Sequence, residues 1–257
     1  MVLKDHNLPL TGQRVLVTGA SGYLGSHMAR ALYDAGARVI LHGRNAEKLD
    51  QVRAELFGDV AGSGRLICLP GDLNSRESAQ AYLHNLITAT AVPDILVNCM
   101  GHAEDKPFVF HQPGDSRASF AANLHPFVHI SEALLPHWQA RANGNLINMA
   151  SITGLVGQPM RSLYGAAKGA VIAYCKTLAR RHAVDNIRVN CIAPQVVTGG
   201  LADKMNPKIK ALLQATTPIQ RDCVAADLVA PLLMLATQSQ GFMTGEVVNV
   251  TGGLITW

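Results

Sequence analysis

The stretch Arg14–Gly25, which reads Arg-Val-Leu-Val-Thr-Gly-Ala-Ser-Gly-Tyr-Leu-Gly, decides the fold class. Its first five residues are mostly Val and Leu, which predicts a short buried strand. Apolar residues at helical spacing follow the glycines as far as Ala35, and a second apolar run begins at Val39. A strand, a glycine turn, a helix and a second strand form a nucleotide-binding unit, because glycines let a pyrophosphate approach the backbone at a helix N-terminus. We therefore predict a nucleotide site formed by this turn.

The end of the second predicted strand indicates which dinucleotide binds. NAD sites usually have Asp or Glu there, about 20 residues after the glycines, to bind the ribose hydroxyls. The segment here is Leu41-His42-Gly43-Arg44-Asn45, and it contains no acidic residue. The guanidinium of Arg44 suits a 2′-phosphate. The sequence therefore favours NADP(H) over NAD(H).

A second motif lies farther along the chain, where Tyr164 and Lys168 are four residues apart in a predicted helix. This spacing places a phenol and an ammonium on one helical face. A nearby cation lowers the pKa of a phenol, which makes Tyr164 a candidate proton donor and acceptor. Ser151 follows the apolar run 145–150, and its hydroxyl can hold the same reacting oxygen.

Together these residues resemble the short-chain dehydrogenase/reductase family, in its short single-domain branch. Matches to the family extend over nearly the whole chain, from Thr18–Gly25 to the segment Thr244–Gly253. Asn123 matches the helix asparagine of the family's catalytic tetrad, and Ser151, Tyr164 and Lys168 match its other members. The segment after Ser151 and the C-terminal region resemble most closely those of the 3-oxoacyl-[acyl-carrier-protein] reductases.

The resemblance implies a set of cofactor contacts and a substrate pocket. The implied cofactor-binding residues are Gly19, Ser21, Gly22, Tyr23, Leu24, Gly25, Arg44, Asp72, Leu73, Asn98, Gly101, Tyr164, Lys168, Pro194, Val197 and Thr198. The implied substrate contacts are Ser151 and Tyr164, and we add His102 and Gln195 as candidates.

Three positions depart from the family pattern. Tyr23 stands where the short branch usually has a glycine, so that the spacing resembles the family's extended branch. Cys99 and Met100 replace an Asn-Ala pair, and Gln195 replaces the glycine that usually follows Pro194. We interpret the spacing at Tyr23 as a local variation that still binds pyrophosphate, and we expect Gln195 to influence substrate choice.

Length and composition are those of one α/β domain. The chain has 257 residues, of which 48% are hydrophobic, and a net charge of +4. Apolar runs alternate with helical segments, which predicts a Rossmann-like, doubly wound parallel sheet with helices on both faces. Seven strands are predicted, at 14–18, 38–42, 65–69, 94–98, 144–150, 187–192 and 246–250. We interpret residues 1–257 as a single NAD(P)-binding domain.

Several classes of partner are not expected. The sequence has no dense stripe of Lys and Arg of the kind that binds nucleic acid, and no apolar run has transmembrane length. The five cysteines and ten histidines show neither a disulfide pattern nor metal-ligand spacing, so no metal is predicted. A cytoplasmic enzyme is the default expectation.

The predicted reaction is hydride transfer between NADP(H) and a carbonyl/alcohol pair. Tyr164 would protonate the oxygen, Ser151 would position it, and Lys168 would lower the pKa of Tyr164 and hold the nicotinamide ribose. Asn123 would anchor a water that relays protons. Loops at about 102–115, 152–160 and 195–217 would select the substrate, with Leu201, Met205, Ile209 and Leu212 forming a candidate lid.

The substrate is predicted to be a β-ketoacyl thioester or a polyketide-like ketone. A small alcohol, sugar, steroid or quinone substrate stays open. So do a lyase or epimerase that uses nicotinamide transiently and a non-catalytic NADP-binding sensor or scaffold. Arg180 and Arg181 could contact an acidic acyl carrier protein. The family resemblance and the apolar end Leu254–Trp257 lead us to expect a homotetramer.

Overall fold

A computed structural model of the chain describes residues 8–58, 64–200, 203, 205, 207–237 and 241–256. Its centre is a seven-stranded parallel sheet, in the order β3-β2-β1-β4-β5-β6-β7. The strands are β1 Arg14–Thr18, β2 Arg38–His42, β3 Leu66–Cys68, β4 Ile95–Asn98, β5 Gly144–Met149, β6 Ile187–Pro194 and β7 Val247–Val250. The predicted fold class and all seven strands are confirmed.

Nine α-helices are described along the same ranges of the chain. They are α1 Tyr23–Asp34, α2 Ala46–Phe57, α3 Arg76–Ala89, α4 Asp115–Asn123, α5 His125–Ala140, α6 Thr153–Val156, α7 Ser162–His182, α8 Pro207–Thr216 and α9 Val229–Ala236. In this part of the chain, no helix combines the length and apolar character that crossing a bilayer requires.

Two apolar cores cover the two faces of the sheet. Alternate residues of one strand point to opposite faces, so Val15 and Val17 join one core while Leu16 joins the other. The first core includes residues of α1, α2 and α9, and the second includes residues of α3, α5 and α7. Burial on both faces explains why the strands read as continuous apolar runs.

The strand order places the ligand cleft. β1 pairs with both β2 and β4, so the winding direction reverses between β1 and β4. Ligands of open α/β sheets bind beyond the carboxyl ends of the strands at such a reversal. Gly19 and Cys99, which follow β1 and β4, lie at this point.

A break between α4 and α5 positions Asn123. Asn123 ends α4, Leu124 forms a turn with φ −117° and ψ −55°, and α5 begins at His125. Pro126 has no amide hydrogen to continue the helical hydrogen bonding. The interruption therefore follows from the local sequence, and it leaves the Asn123 side chain buried beside the cleft.

Candidate active site

A cavity of about 610 Å³ opens at the carboxyl ends of the central strands. Ser151, Tyr164 and Lys168 line it, together with the turn Gly22–Gly25 and the segment Pro194–Val197. Ser151 follows the end of β5, Tyr164 and Lys168 lie in α7, and the glycine turn follows β1. Side chains that are far apart in sequence therefore share one space with the predicted nucleotide turn.

The ionisation of Tyr164 depends on its burial and on the groups nearby. Burial raises the pKa of Tyr164 above its ordinary value, and this outweighs the lowering by a hydrogen bond with Ser151 and by the charge of Arg161. The Lys168 ammonium lies 5.9 Å from the centroid of the Tyr164 ring. Burial has the largest effect on the Tyr164 pKa, and the role of Lys168 in lowering that pKa stays a prediction. A raised pKa keeps Tyr164 protonated at neutral pH.

Lys168 is a buried ammonium held by main-chain carbonyls. It is 3% exposed, and its Nζ donates to the carbonyl of Met149 at 2.9 Å and to that of Met100 at 3.3 Å. Burial lowers the pKa of Lys168 from 10.5 to about 8. An ammonium has three protons, so one donor is left for a further ligand after these two bonds.

The Asn123 side chain fixes the loop after β4. Its Oδ1 accepts from the amide of His102 at 3.0 Å, and its Nδ2 donates to the carbonyls of His102 and Ser119, each at 2.9 Å. A Cβ at Gly101 would lie 3.1 Å from Asn123 Oδ1 and 3.2 Å from Lys168 Nζ. Both Nδ2 protons are used, so this side chain holds the backbone rather than donating to the predicted water.

The glycine turn has the form of an anion site. Gly19 has φ +71°, and a Cβ there would lie 2.9 Å from the carbonyl carbon of Cys99, so only glycine fits. α1 begins at Tyr23 with no side-chain cap and no acidic residue in its first turn. The free amides and the helix dipole at this end attract a phosphate. The residues present thus fit the pyrophosphate of a dinucleotide.

Comparisons with known proteins agree with this geometry. The sequence model of the family described as short chain dehydrogenase matches residues 13–210. The chain belongs to the short-chain dehydrogenase family.

Named relatives of this short-chain dehydrogenase extend over almost its whole length. Nodulation protein G of Rhizobium sp. strain N33 is 35% identical over 95% of this chain and 98% of that protein. The 3-oxoacyl-[acyl-carrier-protein] reductase FabG of Chlamydia pneumoniae is 30% identical over 96% of this chain and 99% of that protein. The chain is accordingly an oxidoreductase of this family.

A solved structure also matches this short-chain dehydrogenase. It is a gluconate 5-dehydrogenase from Burkholderia cenocepacia J2315, in complex with NADP and tartrate. The TM-score is 0.90 at 27% identity, over 97% of this chain and 98% of that chain.

Tyr23, the first departure from the family pattern, packs against another loop of this short-chain dehydrogenase. A Cβ at Gly199, where φ is +99°, would overlap the Tyr23 ring, and a Cβ at Gly200 would lie 2.9 Å from the Tyr23 Cβ. Both glycines line the main cavity beside Tyr23. The ring that replaces the usual glycine is therefore accommodated by two glycines in the loop after β6.

The third departure, Gln195, connects β6 to the region after α8. Its Nε2 donates to the hydroxyl of Thr217 at 2.6 Å, although the residue also lines the cavity. Thr198 similarly donates to Asp222 at 2.9 Å, and Asp222 forms an ion pair with Lys210 of α8 at 3.2 Å. Two side-chain connections thus anchor α8, which carries Ile209 and Leu212 of the predicted lid. Leu201 lies outside the described residues.

Other predicted cofactor residues lie away from the main cavity lining. Asn98 is fully buried and accepts from the hydroxyl of Thr18 at 2.7 Å. Asp72 is exposed and accepts from Asn74. Leu73 is buried, and its carbonyl bonds to His129. Ser21 and Arg44 are also outside this lining, whereas Leu24 and Gly101 belong to it.

His102 lies in a neighbouring space. It lines a second cavity of about 200 Å³, which Tyr164 and Arg161 also line. Among the described residues, no cluster of His, Cys, Asp or Glu is arranged to hold a metal ion.

Two charged residues of the cavity lining were not predicted from the sequence. Lys48 in the first turn of α2 lines the main cavity, as Gly22 does, and Arg161 lines both cavities. Lys48 lies three residues after Asn45, whose side chain caps α2. A basic residue in the first turn of this helix could have indicated that Lys48 lies near the nucleotide site. Arg161 had only its position three residues before Tyr164.

Proposed function

We propose that this protein is an NADPH-dependent reductase that converts 3-oxoacyl thioesters into 3-hydroxyacyl thioesters. The observation that carries the proposal is the joint placement of Ser151, Tyr164 and Lys168 in a cavity that extends to the glycine turn. The relatedness to a 3-oxoacyl-[acyl-carrier-protein] reductase supports this substrate class.

The proposed roles follow from the contacts of each side chain. When bound, the cofactor supplies a hydride to the carbonyl carbon. Tyr164 donates its phenolic proton to the carbonyl oxygen, which becomes the hydroxyl of the product. The Ser151 hydroxyl binds that oxygen, and the open donor of Lys168 binds the nicotinamide ribose. Asn123 keeps Gly101 and His102 in place under the cofactor, so we assign it a positioning role.

The preference for NADPH rests on the end of β2. Arg44 is exposed, and within the described ranges its side chain has no hydrogen bond or ion pair. Lys48 lines the same cavity as the glycine turn. Because no acidic residue opposes a 2′-phosphate in this segment, both cations are available to phosphates.

Arg44→Ala is expected to weaken NADPH binding by about 10- to 100-fold, the loss of one or two charge-assisted hydrogen bonds. NADH binding should change less than about threefold, because NADH has no 2′-phosphate. Lys48→Ala should weaken the binding of both cofactors, since Lys48 lines the same cavity as the glycine turn. Fluorescence titration measures each dissociation constant, with the exposed Arg53 on α2 changed to Ala as control. Equal effects of Arg44→Ala on both cofactors, or a wild-type preference for NADH, would contradict the assignment.

The substrate proposal is tested with purified protein saturated with NADPH. Oxidation of NADPH is followed with acetoacetyl-CoA, carrier-bound 3-oxoacyl chains, simple ketones, sugars and quinones. The proposal requires turnover of at least one 3-oxoacyl thioester. Efficient reduction of ketones or quinones with no reduction of either thioester would refute it.

We also propose a homotetramer, and an acidic carrier protein as the substrate donor. Arg180 and Arg181 are exposed at the end of α7, where they can meet acidic side chains. Light scattering at micromolar concentration is expected to give four times the 27.4 kDa mass of the chain. A stable monomer in that measurement would contradict the tetramer without affecting the proposed reaction.

A further inference from the structure

Arg161 is a buried cation beside the proposed catalytic tyrosine. It occupies the N-cap position of α7, three residues before Tyr164, and it is 9% exposed. Its Nε donates to Asp105 Oδ1 at 2.5 Å. The residue lines the main cavity and also the second cavity that holds His102. The roles proposed above do not use it.

The terminal nitrogens of Arg161 are available for a ligand. A guanidinium has five N–H donors, of which only the Nε–H is used, and no described residue accepts from Nη1 or Nη2. Neither Nη1 nor Nη2 is among the fully buried side-chain atoms that lack a partner in the described part of the chain, so both reach the solvent of a cavity. A substrate that displaces this solvent has to replace its hydrogen bonds. The four remaining donors, in a residue that lines the cavity, indicate an acceptor on the substrate.

The charge balance indicates what kind of acceptor fits. Asp105 already neutralises Arg161 in a pair whose side chains are 18% and 9% exposed. A substrate carboxylate would add a second anion to one cation in a partly dehydrated site. A neutral carbonyl oxygen accepts the same hydrogen bonds without unbalancing the pair.

The position relative to Tyr164 indicates where this acceptor lies. Residues three apart at the start of a helix are neighbours on one face, and Arg161 and Tyr164 both line each of the two cavities. The acceptor is therefore close to the carbonyl that is reduced. A 3-oxoacyl thioester has its second carbonyl two carbons away from the first.

We propose that Arg161 donates hydrogen bonds to the thioester carbonyl oxygen and so selects 1,3-dicarbonyl substrates over isolated ketones. This inference rests on the proposed function, and it names the residue that recognises the substrate class. In it, Tyr164 and Ser151 hold the oxygen that is reduced, and Asp105 orients the guanidinium.

A purely structural role for Arg161 makes a different prediction. The Arg161–Asp105 pair connects the loop after β4 to the segment before α7, as does a hydrogen bond from the Lys106 amide to the Met160 carbonyl at 2.8 Å. If the pair only fastened these segments, removing either partner would have the same effect. Comparison of Arg161→Gln with Asp105→Asn separates the two roles, because the second variant keeps the guanidinium.

The experiment measures kcat/KM with NADPH for three compounds: the N-acetylcysteamine thioester of acetoacetate, free acetoacetate, and 2-pentanone. Arg161→Gln is expected to lower the value for the thioester by about 10- to 100-fold, the loss of hydrogen bonds from a charged donor. The value for 2-pentanone should fall less than about threefold. Asp105→Asn should retain the thioester preference, and Lys176→Gln, an exposed site on the same helix, serves as control. The ratio of thioester to ketone cancels any common change in Tyr164 ionisation.

Each other outcome overturns the inference. Equal losses for all three compounds, or equal effects of Arg161→Gln and Asp105→Asn, would make Arg161 structural. A wild-type preference for free acetoacetate, lost in Arg161→Gln, would make the ligand an anion. A wild-type protein that reduces 2-pentanone but not the thioester would refute the proposed function itself, and the inference with it.

Discussion

Tyr164→Phe is expected to lower kcat for carbonyl reduction by about 10²- to 10⁴-fold, because it removes the general acid and leaves the ring. This corresponds to about 2.7–5.4 kcal/mol of barrier. Burial raises the pKa of Tyr164, so the phenol is protonated throughout the neutral range. The wild-type rate should therefore show no loss from Tyr164 ionisation until the pH exceeds the ordinary phenol value near 10.

The measurement is single-turnover reduction, in which the chemical step limits the rate. NADPH binding and the melting temperature serve as controls, and both should be nearly unchanged because Phe retains the ring. Tyr33→Phe, a buried tyrosine in α1, is the matched variant and should keep normal turnover. Turnover of Tyr164→Phe within about threefold of wild type would disprove the acid role.

Most of the fold could be predicted because its signals are local. Each strand is a short apolar run, and each lies between helical segments. β6 extends two residues past the predicted end, to Pro194, because Ala193 and Pro194 continue the pairing with β7. β3 is shorter than predicted, at Leu66–Cys68, and among the described strands it pairs with β2 alone, at the edge of the sheet.

The site was predictable where family motifs carry it. The placement of Ser151, Tyr164 and Lys168 in one cavity agrees with the prediction. The net pKa shift of Tyr164 was not predictable, because it depends on how much burial opposes the charges nearby. No sequence spacing reports that balance.

Contacts between distant segments were also beyond the sequence. Nothing near Tyr23 indicates that its ring packs on Gly199 and Gly200. Similarly, Gln195 was expected to influence substrate choice, but its amide is bonded to Thr217. The pairing of Arg161 with Asp105 connects the segment before α7 to the loop after β4. Such contacts exist only once the sheet has brought the loops to one edge.

Lys168→Met is expected to lower kcat/KM by at least about 10²-fold, because misplacing a single reacting group costs about that much in rate. Its effect on stability should depend on pH. Burial lowers the pKa of Lys168 from 10.5 to about 8, which corresponds to a cost on the order of 3 kcal/mol for the charged form. Below pH 8 the lysine is charged in the folded and unfolded states, so the whole cost is present.

The cost is relieved as the pH rises. Between pH 8 and 10.5 the folded protein loses this proton while the unfolded chain keeps it, so wild-type stability gains a contribution that a methionine at this position cannot give. At pH 7 Lys168→Met has two opposing effects on the free energy of unfolding. It removes the hydrogen bonds to the carbonyls of Met100 and Met149, which destabilises the fold, and it removes a buried charge, which stabilises it. We therefore expect Lys168→Met to be close to wild type in stability at pH 7 and progressively less stable than wild type toward pH 10.

Urea denaturation of the cofactor-free protein at a series of pH values measures this difference. Lys176→Met, at an exposed position of the same helix, should show no such trend, because its ammonium is hydrated in both states. Titrations of other groups cancel when each variant is compared with wild type at the same pH. A stability difference between Lys168→Met and wild type that stayed constant from pH 7 to 10 would mean that the buried ammonium keeps its ordinary pKa. Its contacts with the two carbonyls would then offset the cost of burial in full.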